Sequence, residues 1–401
     1  MEADMTPEVE SLSYRRFKSN RNKKMGTEFI GKIAPCFNHL IETITSNGKI
    51  GICGSRVRIS DIKTGSLSTS KKPNGDRFQV LLPFAGQTLQ WDVIFDCTYP
   101  QDPPDFIFAA DDSDFSPHED NVKSLVNWDY NDPNSLLNVL NELLALYREH
   151  QQRQIEAHSR LQFEYSSLID QANLAPEDIE IFVHKSENKV GPVVFLIKMV
   201  VDFTKIPAYL TKDNPGEDSA VLLVNFPSPN TSRISPQLYL SPRVENALGG
   251  SANLRIPPYP SGGCLLDYVP TVCELLQNKV DQVSNVHEKK MEYVSAFLSN
   301  FGRSVLEYDA EHFSRISFLF EWNDFFFLLY VELPSFFPQE PPIFTFQSIY
   351  HESKGKPYSE TVNDYPYSPR WSSKKMAEKA REYILCNIGA FQKASVHSGS
   401  L

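Results

Sequence analysis

Tyr99-Pro100-Gln101-Asp102-Pro103-Pro104-Asp105-Phe106-Ile107-Phe108 decides how this chain is read, because the chain writes the pattern twice. The second copy is Phe337-Pro338-Gln339-Glu340-Pro341-Pro342-Ile343-Phe344-Thr345-Phe346. Both spell aromatic-Pro-x-x-Pro-Pro-x-Phe-x-Phe, at an offset of 238 residues (337 − 99). Upstream, Leu89, Trp91, Val93 and Phe95 alternate before the first copy. Phe327, Leu329, Val331 and Leu333 alternate at the same offset before the second. Period-two alternation predicts a half-buried strand, and self-similarity at a fixed offset predicts a repeated structural unit. The prolines cannot donate to a ladder and hold the chain extended. Phe106 and Phe108 therefore read as a short extended segment pinned to a core.

Working outward from the first copy, Phe29, Ile30, Ile33, Phe37, Leu40, Ile41 and Ile44 predict a helix over 29–45, ended by Asn47-Gly48. Strands are expected at 49–60, 77–83 and 88–97, with turns at Asn74-Gly75 and Ala85-Gly86-Gln87. Residues 109–127 read as an acidic loop carrying Asp111, Asp112, Asp114, Glu119 and Asp120. Trp128 follows, then a helix after Asp132-Pro133-Asn134 with Leu136, Leu140, Leu143, Leu144 and Tyr147 on one stripe. That helix is expected to run polar-faced through 150–160 and recover its stripe at Leu161, Tyr165, Leu168 and Ile169. The last unit repeats the order: strands near 304–309, 313–321 and 325–333 with a turn at Asn323-Asp324, the Phe337 motif, a loop, Trp371, and a helix over 373–393.

Between the two units lie strand candidates at 179–184, 193–202, 219–226 and 236–240, then a proline-rich connection punctuated by Gly249-Gly250 and Gly262-Gly263. Pro270 is expected in the first turn of a long helix, a tolerated position. Val272, Leu276, Val280, Val283, His287, Met291, Val294 and Leu298 carry its apolar series to Gly302. About 30 helical residues would span roughly 45 Å, so the helix is expected to close the middle domain with one half and open the last with the other. The fold class read from this order is α+β. The expected domains are a disordered basic arm at 1–27, a first repeated unit at 28–150, a middle domain at 151–283, a second repeated unit at 284–393 and a frayed tail at 394–401.

With 401 residues, 41% of them hydrophobic, the chain has ample material for several cores. A net charge of −11 argues against a broad nucleic-acid-binding face. The basic exception is Arg15, Arg16, Lys18, Arg21, Lys23 and Lys24, either a solvated arm or a nuclear-import signal. The six cysteines (36, 53, 97, 264, 273 and 386) form no C-x-x-C pair and have no histidine cluster beside them. No zinc site, disulfide framework or cofactor is expected, and a reducing compartment fits. No apolar run reaches the roughly 18–20 residues of a membrane span, so no membrane partner is expected.

The order helix, meander, Tyr-Pro-x-x-Pro-Pro-x-Phe-x-Phe, loop, Trp, helix resembles the ubiquitin-conjugating-enzyme fold over about 29–150 and again over about 284–393. In that family a His-Pro-Asn triplet follows the motif, and a nucleophilic cysteine follows the triplet. The thiolate carries ubiquitin as a thioester, and the Asn stabilises the oxyanion. Here the first unit has Ser116-Pro117-His118-Glu119-Asp120 at that place, with no cysteine between 98 and 263. The second has Ile349-Tyr350-His351-Glu352-Ser353. The resemblance therefore implies two catalytically dead variant (UEV-like) domains, with an RWD-like relative between them. Cys97 reads as a strand residue, Cys386 as buried in the last helix, and His118 and His351 as surface-loop residues. Phe336, Phe337, Tyr365, Tyr367 and Trp371 are candidate interface aromatics whose plainer reading is that they pack their own domain. No phosphate-cradling loop, metalloprotease motif or nucleophile elbow appears.

At full length, five passages are similar to the brain and reproductive organ-expressed protein (BRE) family. They are Arg77-Phe78 with Pro83-Phe84-Ala85-Gly86, Trp91-Asp92-Val93-Ile94-Phe95, Tyr239 to Gly250, Val305 to Glu311 and Tyr365 to Trp371. The similarity is collinear over about 28–401, and the basic arm departs from it. The resemblance implies a non-catalytic scaffold of the cytoplasmic BRISC and nuclear BRCA-A assemblies. Its implied partners are a JAMM zinc deubiquitinase that cleaves chains joined through ubiquitin's lysine sixty-three, an inactive MPN-domain protein, a small von Willebrand-like subunit and ubiquitin chains. The alternative, which the conjugating-enzyme-like fold alone would support, is a free-standing receptor for ubiquitin or proline-rich peptides. Partner-binding residues are not assigned by either reading. The residues singled out are the motif positions Tyr99, Pro100, Pro103, Pro104, Phe106, Phe108, Phe337, Pro338, Pro341, Pro342, Phe344 and Phe346.

Overall fold

The computed structural model describes residues 31–398, apart from 53–55, 66–73, 110–111, 113, 173, 187–188, 232, 251–253 and 363. The basic arm, Phe29, Ile30, Cys53, Asp111 and residues 399–401 lie outside the described residues. Mixed helix and antiparallel sheet is observed, divided into two compact units. The first holds the described residues within Met1–Lys198, with Val221–Tyr239 and Pro258–Val269; the second holds Met199–Ala220, Leu240–Pro257 and the described part of Pro270–Leu401.

In the first unit the helix starts later than its stripe suggested. Pro35 pushes Ala34 to an extended backbone (φ −59°, ψ 128°), so Ile33 bridges to Gly75 and α1 spans only Asn38–Asn47. The same apolar residues, Ile33, Phe37, Leu40, Ile41 and Ile44, are nonetheless buried. Strands β1 (Arg58–Lys63), β2 (Arg77–Phe84), β3 (Gln87–Ile94) and β4 (Asp105–Ile107) form an antiparallel meander in that order. Of the strand expected over 49–60, residues 58–60 lie in β1, and the described residues before them contribute the bridge of Lys49 to Arg56. Ala85 and Gly86 turn the β2–β3 hairpin with φ of 47° and 78°, the two positive angles of a tight primed turn.

Helix α2 (Ser135–Ile155) closes the first core with Leu136, Val139, Leu140, Leu143 and Tyr147. It stops at Ile155, and α3 (Ser159–Asp170) is a separate helix rather than its continuation. Six residues from Ile155 to Leu161 turn a helix by about 600°, which puts Leu161 roughly 120° off the buried face. A break restores the packing. The acidic loop is not wholly solvated either: Asp112 is buried and accepts the Tyr147 hydroxyl at 2.9 and 3.0 Å. The second sheet of this unit has the order β5 (Ile179–Ser186), β6 (Lys189–Lys198), β7 (Ala220–Phe226), β8 (Ser235–Leu240).

Helix α4 runs Leu265–Phe301, so Pro270 lies inside it and not in its first turn. Its start is fixed by Glu164 of α3, which is buried and accepts the Leu265 N–H at 2.6 Å. Pro270 then removes one i→i−4 bond from the interior.

In the second unit, β9 (Val305–Tyr308), β10 (Arg315–Trp322), β11 (Phe325–Glu332), β12 (Ile343–Ser353) and β13 (Lys356–Val362) form one sheet, ordered β13-β12-β11-β10-β9. Asn323 and Asp324 turn the β10–β11 hairpin with φ of 51° and 60°. Trp322 pairs with Phe325 as Phe84 pairs with Gln87, so the two hairpins share the 238-residue offset in register (322 − 84). The loop expected after the second motif is instead the β12–β13 hairpin, turned by Lys354 and Gly355 with φ of 57° and 73°. Helix α5 (Ser373–Ser398) continues past residue 393 and buries Ser395 completely, so residues 394–398 are not frayed. Its Met376, Ala380, Ile384, Ile388 and Phe391 share a core with Tyr293 and Phe297 of α4 and the inward residues of β10–β12.

Candidate functional site

The two proline motifs occupy corresponding places. Pro104 and Pro342 are both buried where the chain enters the sheet. Val93 pairs with Phe106 and Val331 with Phe344, again at the same offset. The copies differ in depth. Tyr99 is 64% exposed, whereas Phe337 is fully buried, 5.2 Å from the ring of Tyr293. Pro100 and Pro338 are half-buried; Pro103 is exposed and Pro341 half-buried. Phe108 meets Trp91 edge-on at 5.3 Å, and Phe346 lies 5.5 Å from Phe391. These residues seat the chain. The exposed tips beside them are Tyr99 and Phe336, the latter 69% exposed.

The remaining candidate aromatics mostly pack inward. Tyr365 is buried; Tyr367 and Trp371 are half-buried. The Tyr367 hydroxyl donates to the Pro338 carbonyl at 2.6 Å, and the Lys375 ammonium lies 5.3 Å from the Trp371 ring. Phe336 is the exception to the packing expectation: it is 69% exposed in the turn where its neighbour Phe337 is fully buried.

Of the two histidines singled out after the motifs, His118 is exposed and lies 3.3 Å from Asp120. His351 is not a loop residue. It lies on β12, half-buried, with Nδ1 at 3.3 Å from the hydroxyls of Ser348 and Ser395. It therefore joins β12 to α5.

The thiols depart from expectation in two places. Cys97 lies beyond the end of β3, not on a strand, and is half-buried. Burial, then the charge of Asp76 and the neighbouring Cys36 thiol, push its pKa up to about 12. Cys386 is exposed on α5 and not buried, because it sits between the inward Ile384 and Ile388. Burial likewise raises Cys36, Cys264 and Cys273. A thiol held protonated is a weak nucleophile. Among the described residues, no group of three or more His, Cys, Asp and Glu side chains converges as a metal site. No helix among them is long and apolar enough to cross a membrane.

Sequence reasoning missed the buried carboxylates. Glu180, on β5, has no solvent exposure. Its Oε1 accepts the Ile52 N–H at 2.9 Å and its Oε2 the Ala85 N–H at 2.7 Å, with Arg148 at 4.0 Å. Burial raises its pKa, and the two N–H bonds and Arg148 oppose that rise. The available signal was a single acid inside the run Ile179-Glu180-Ile181-Phe182-Val183.

Comparison with known proteins covers nearly the whole chain. The family model "Brain and reproductive organ-expressed protein (BRE)" matches residues 31–352. A Branchiostoma floridae protein named "BRISC and BRCA1-A complex member 2" is 48% identical over 384 residues, which is 94% of this chain and 99% of that protein. The Danio rerio protein of the same name is 44% identical over 379 residues, 93% of this chain and 98% of that protein.

Proposed function

The chain belongs to the brain and reproductive organ-expressed protein family, and from that premise we propose that it is a non-catalytic scaffold subunit of deubiquitinating assemblies of the BRISC and BRCA1-A kind. One observation carries this reading: two relatives named as members of those complexes align with the chain almost end to end. Alignment over nearly the full length of both relatives supports a shared architecture on which such an assembly could be built. The proposed partners are a JAMM zinc deubiquitinase cutting lysine-sixty-three-linked chains, an inactive MPN-domain protein and a von Willebrand-like small subunit, in cytoplasm and nucleus.

The reading extends to the domains. The repeated meanders are interpreted as UEV-like units at 28–150 and 284–393, flanking an RWD-like domain at 151–283. The shared hairpin register and motif pairing support their common origin. The raised pKa values of Cys36 and Cys97 support the interpretation of the first unit as non-catalytic. Affinity purification of the tagged chain, with mass spectrometry and a chain-cleavage assay on the eluate, tests the proposal. A stoichiometric JAMM protease and cleavage of lysine-sixty-three chains are expected. A chain that elutes alone and inert would sink the scaffold reading and favour a free-standing receptor.

A further inference from the structure

The two sheets share a register, so the outward positions of one are a control for those of the other. On the first sheet the outward residues of β3 are Thr88, Gln90 and Asp92. Asp92 ends a polar row across the sheet: Ser60 donates to Gln79 Oε1 at 3.3 Å, and Gln79 donates to Asp92 Oδ1 at 3.3 Å. At the same offset of 238 (326 − 88), β11 carries Phe326, Leu328 and Tyr330. Leu328 faces Leu319 across the β10–β11 ladder, where the first sheet pairs Gln90 with Leu81. Phe326 is 39% and Leu319 37% exposed, and neither packs against the core beneath. Between β3 and β11 the ladder positions correspond and the outward chemistry changes from polar to apolar, whereas Leu81 and Leu319 are apolar in both sheets and Ile107 of the first corresponds to Thr345 of the second. Sheet stability does not require that change, because the first sheet stands without it.

We propose that this outward face of the second sheet is the docking surface for a different protein chain, one presenting an apolar patch rimmed by Lys and Arg. The inference rests on the scaffold reading and identifies one of its contact faces. Charge sets the partner's chemistry. Glu321 lies across from Phe326, Glu332 across from Arg315, and Glu307 across from Ser317. The one cation in that group, Arg315, lies over the Tyr330 ring at 4.7 Å. The rim is therefore acidic around an apolar centre, the arrangement in which charge selects the partner and buried apolar area holds it. A second copy of this chain would bring the same glutamates against themselves.

The test compares the free chain with the purified assembly. Hydroxyl-radical footprinting should show oxidation of Phe326, Leu328 and Tyr330 falling at least about fivefold on assembly, as for side chains in a dry interface centre. Carbodiimide cross-linking should join Glu321 or Glu332 to a lysine of another subunit. The variant F326T/L328Q/Y330D installs the first sheet's own residues, and should melt like the parent while its retention in the assembly drops roughly a hundredfold. Equal oxidation in the free and assembled states overturns the inference and leaves the scaffold reading intact. A chain that enters no assembly overturns both. Sedimentation of the free chain decides the self-contact alternative: a dimer dissolved by the triple variant would mean that a second copy covers the face. If the variant unfolds, the footprint of the parent chain alone decides.

Discussion

Glu180 shows how much one side chain can hold. Each carboxylate oxygen takes a backbone N–H from a different segment, Ile52 and the Ala85 turn. Removing it strands two donors, the buried Ala85 N–H and the half-buried Ile52 N–H. Glu180→Ala should cost about 2–4 kcal/mol, read as a lowered urea midpoint at unchanged slope. Glu180→Gln, which keeps one acceptor but turns an amide N–H₂ toward a donor, should lose about half of that. A loss below about 0.5 kcal/mol for the alanine variant would show that the carboxylate does not hold these segments. Asp309 makes the pH-dependent counterpart. Burial raises its pKa, but the Ser314 hydroxyl and the N–H groups of His312, Glu311 and Ser314 outweigh burial and hold it well below the ordinary 3.8. The folded state thus favours the ionised form. Its stabilisation is complete above the unfolded value and fades as pH falls below 3.8 toward the depressed folded value. Asp309→Asn should flatten the acid limb of a stability profile taken from about pH 5 to 2; an unchanged limb would mean that another carboxylate sets it.

At the scale of elements, the hairpins test whether local backbone chemistry or the core sets the register. Asp324 holds φ of 60° without being glycine, a conformation that favours glycine. Asp324→Gly should therefore stabilise the protein by about 0.5–1 kcal/mol, visible as a raised melting temperature. Its N–H bond to Glu321 at 3.0 Å is retained by glycine. Gly86 is the converse: an added Cβ would meet Leu223 Cδ1 at 2.5 Å, and φ is 78°. Gly86→Ala should cost about 1–2 kcal/mol; a neutral result would show that the Leu223 side chain yields freely. Both turns were legible because Ala-Gly and Asn-Asp interrupt strict alternation. The β12–β13 hairpin was not, although Lys354-Gly355 marks its turn. Its outward half, Lys356 to Val362, is mostly polar and exposed, so it carries no periodic apolar signal. Helix ends failed for a related reason. Burial stripes passed through Pro35 and residues 156–158, and a stripe records which residues are buried, not whether one continuous helix buries them.

At the scale of the molecule, the repeat was readable from spacing alone, whereas its division of labour was not. That division lies in outward residues such as Phe326 and Leu328, which alternate with the core and look like ordinary strand composition until Thr88 and Gln90 are set beside them. The thiols bear on the same question, because a scaffold should supply position to its assembly and no nucleophile. Cys97 is held protonated by burial, Asp76 and Cys36, and a serine there keeps the volume without the thiolate chemistry. Cys386 is exposed, on the side of α5 away from the buried Ile384 and Ile388. The double variant C97S/C386S should therefore fold, enter the assembly in normal stoichiometry and leave lysine-sixty-three chain cleavage within about twofold of the parent, the scatter of a surface substitution. Cleavage should instead vanish on chelation of zinc, because the proposed protease subunit draws its activated water from that metal. A correctly assembled, stable complex that loses cleavage with C97S/C386S would place a thiol of this chain in the reaction, and the scaffold interpretation would have to give way to a catalytic one.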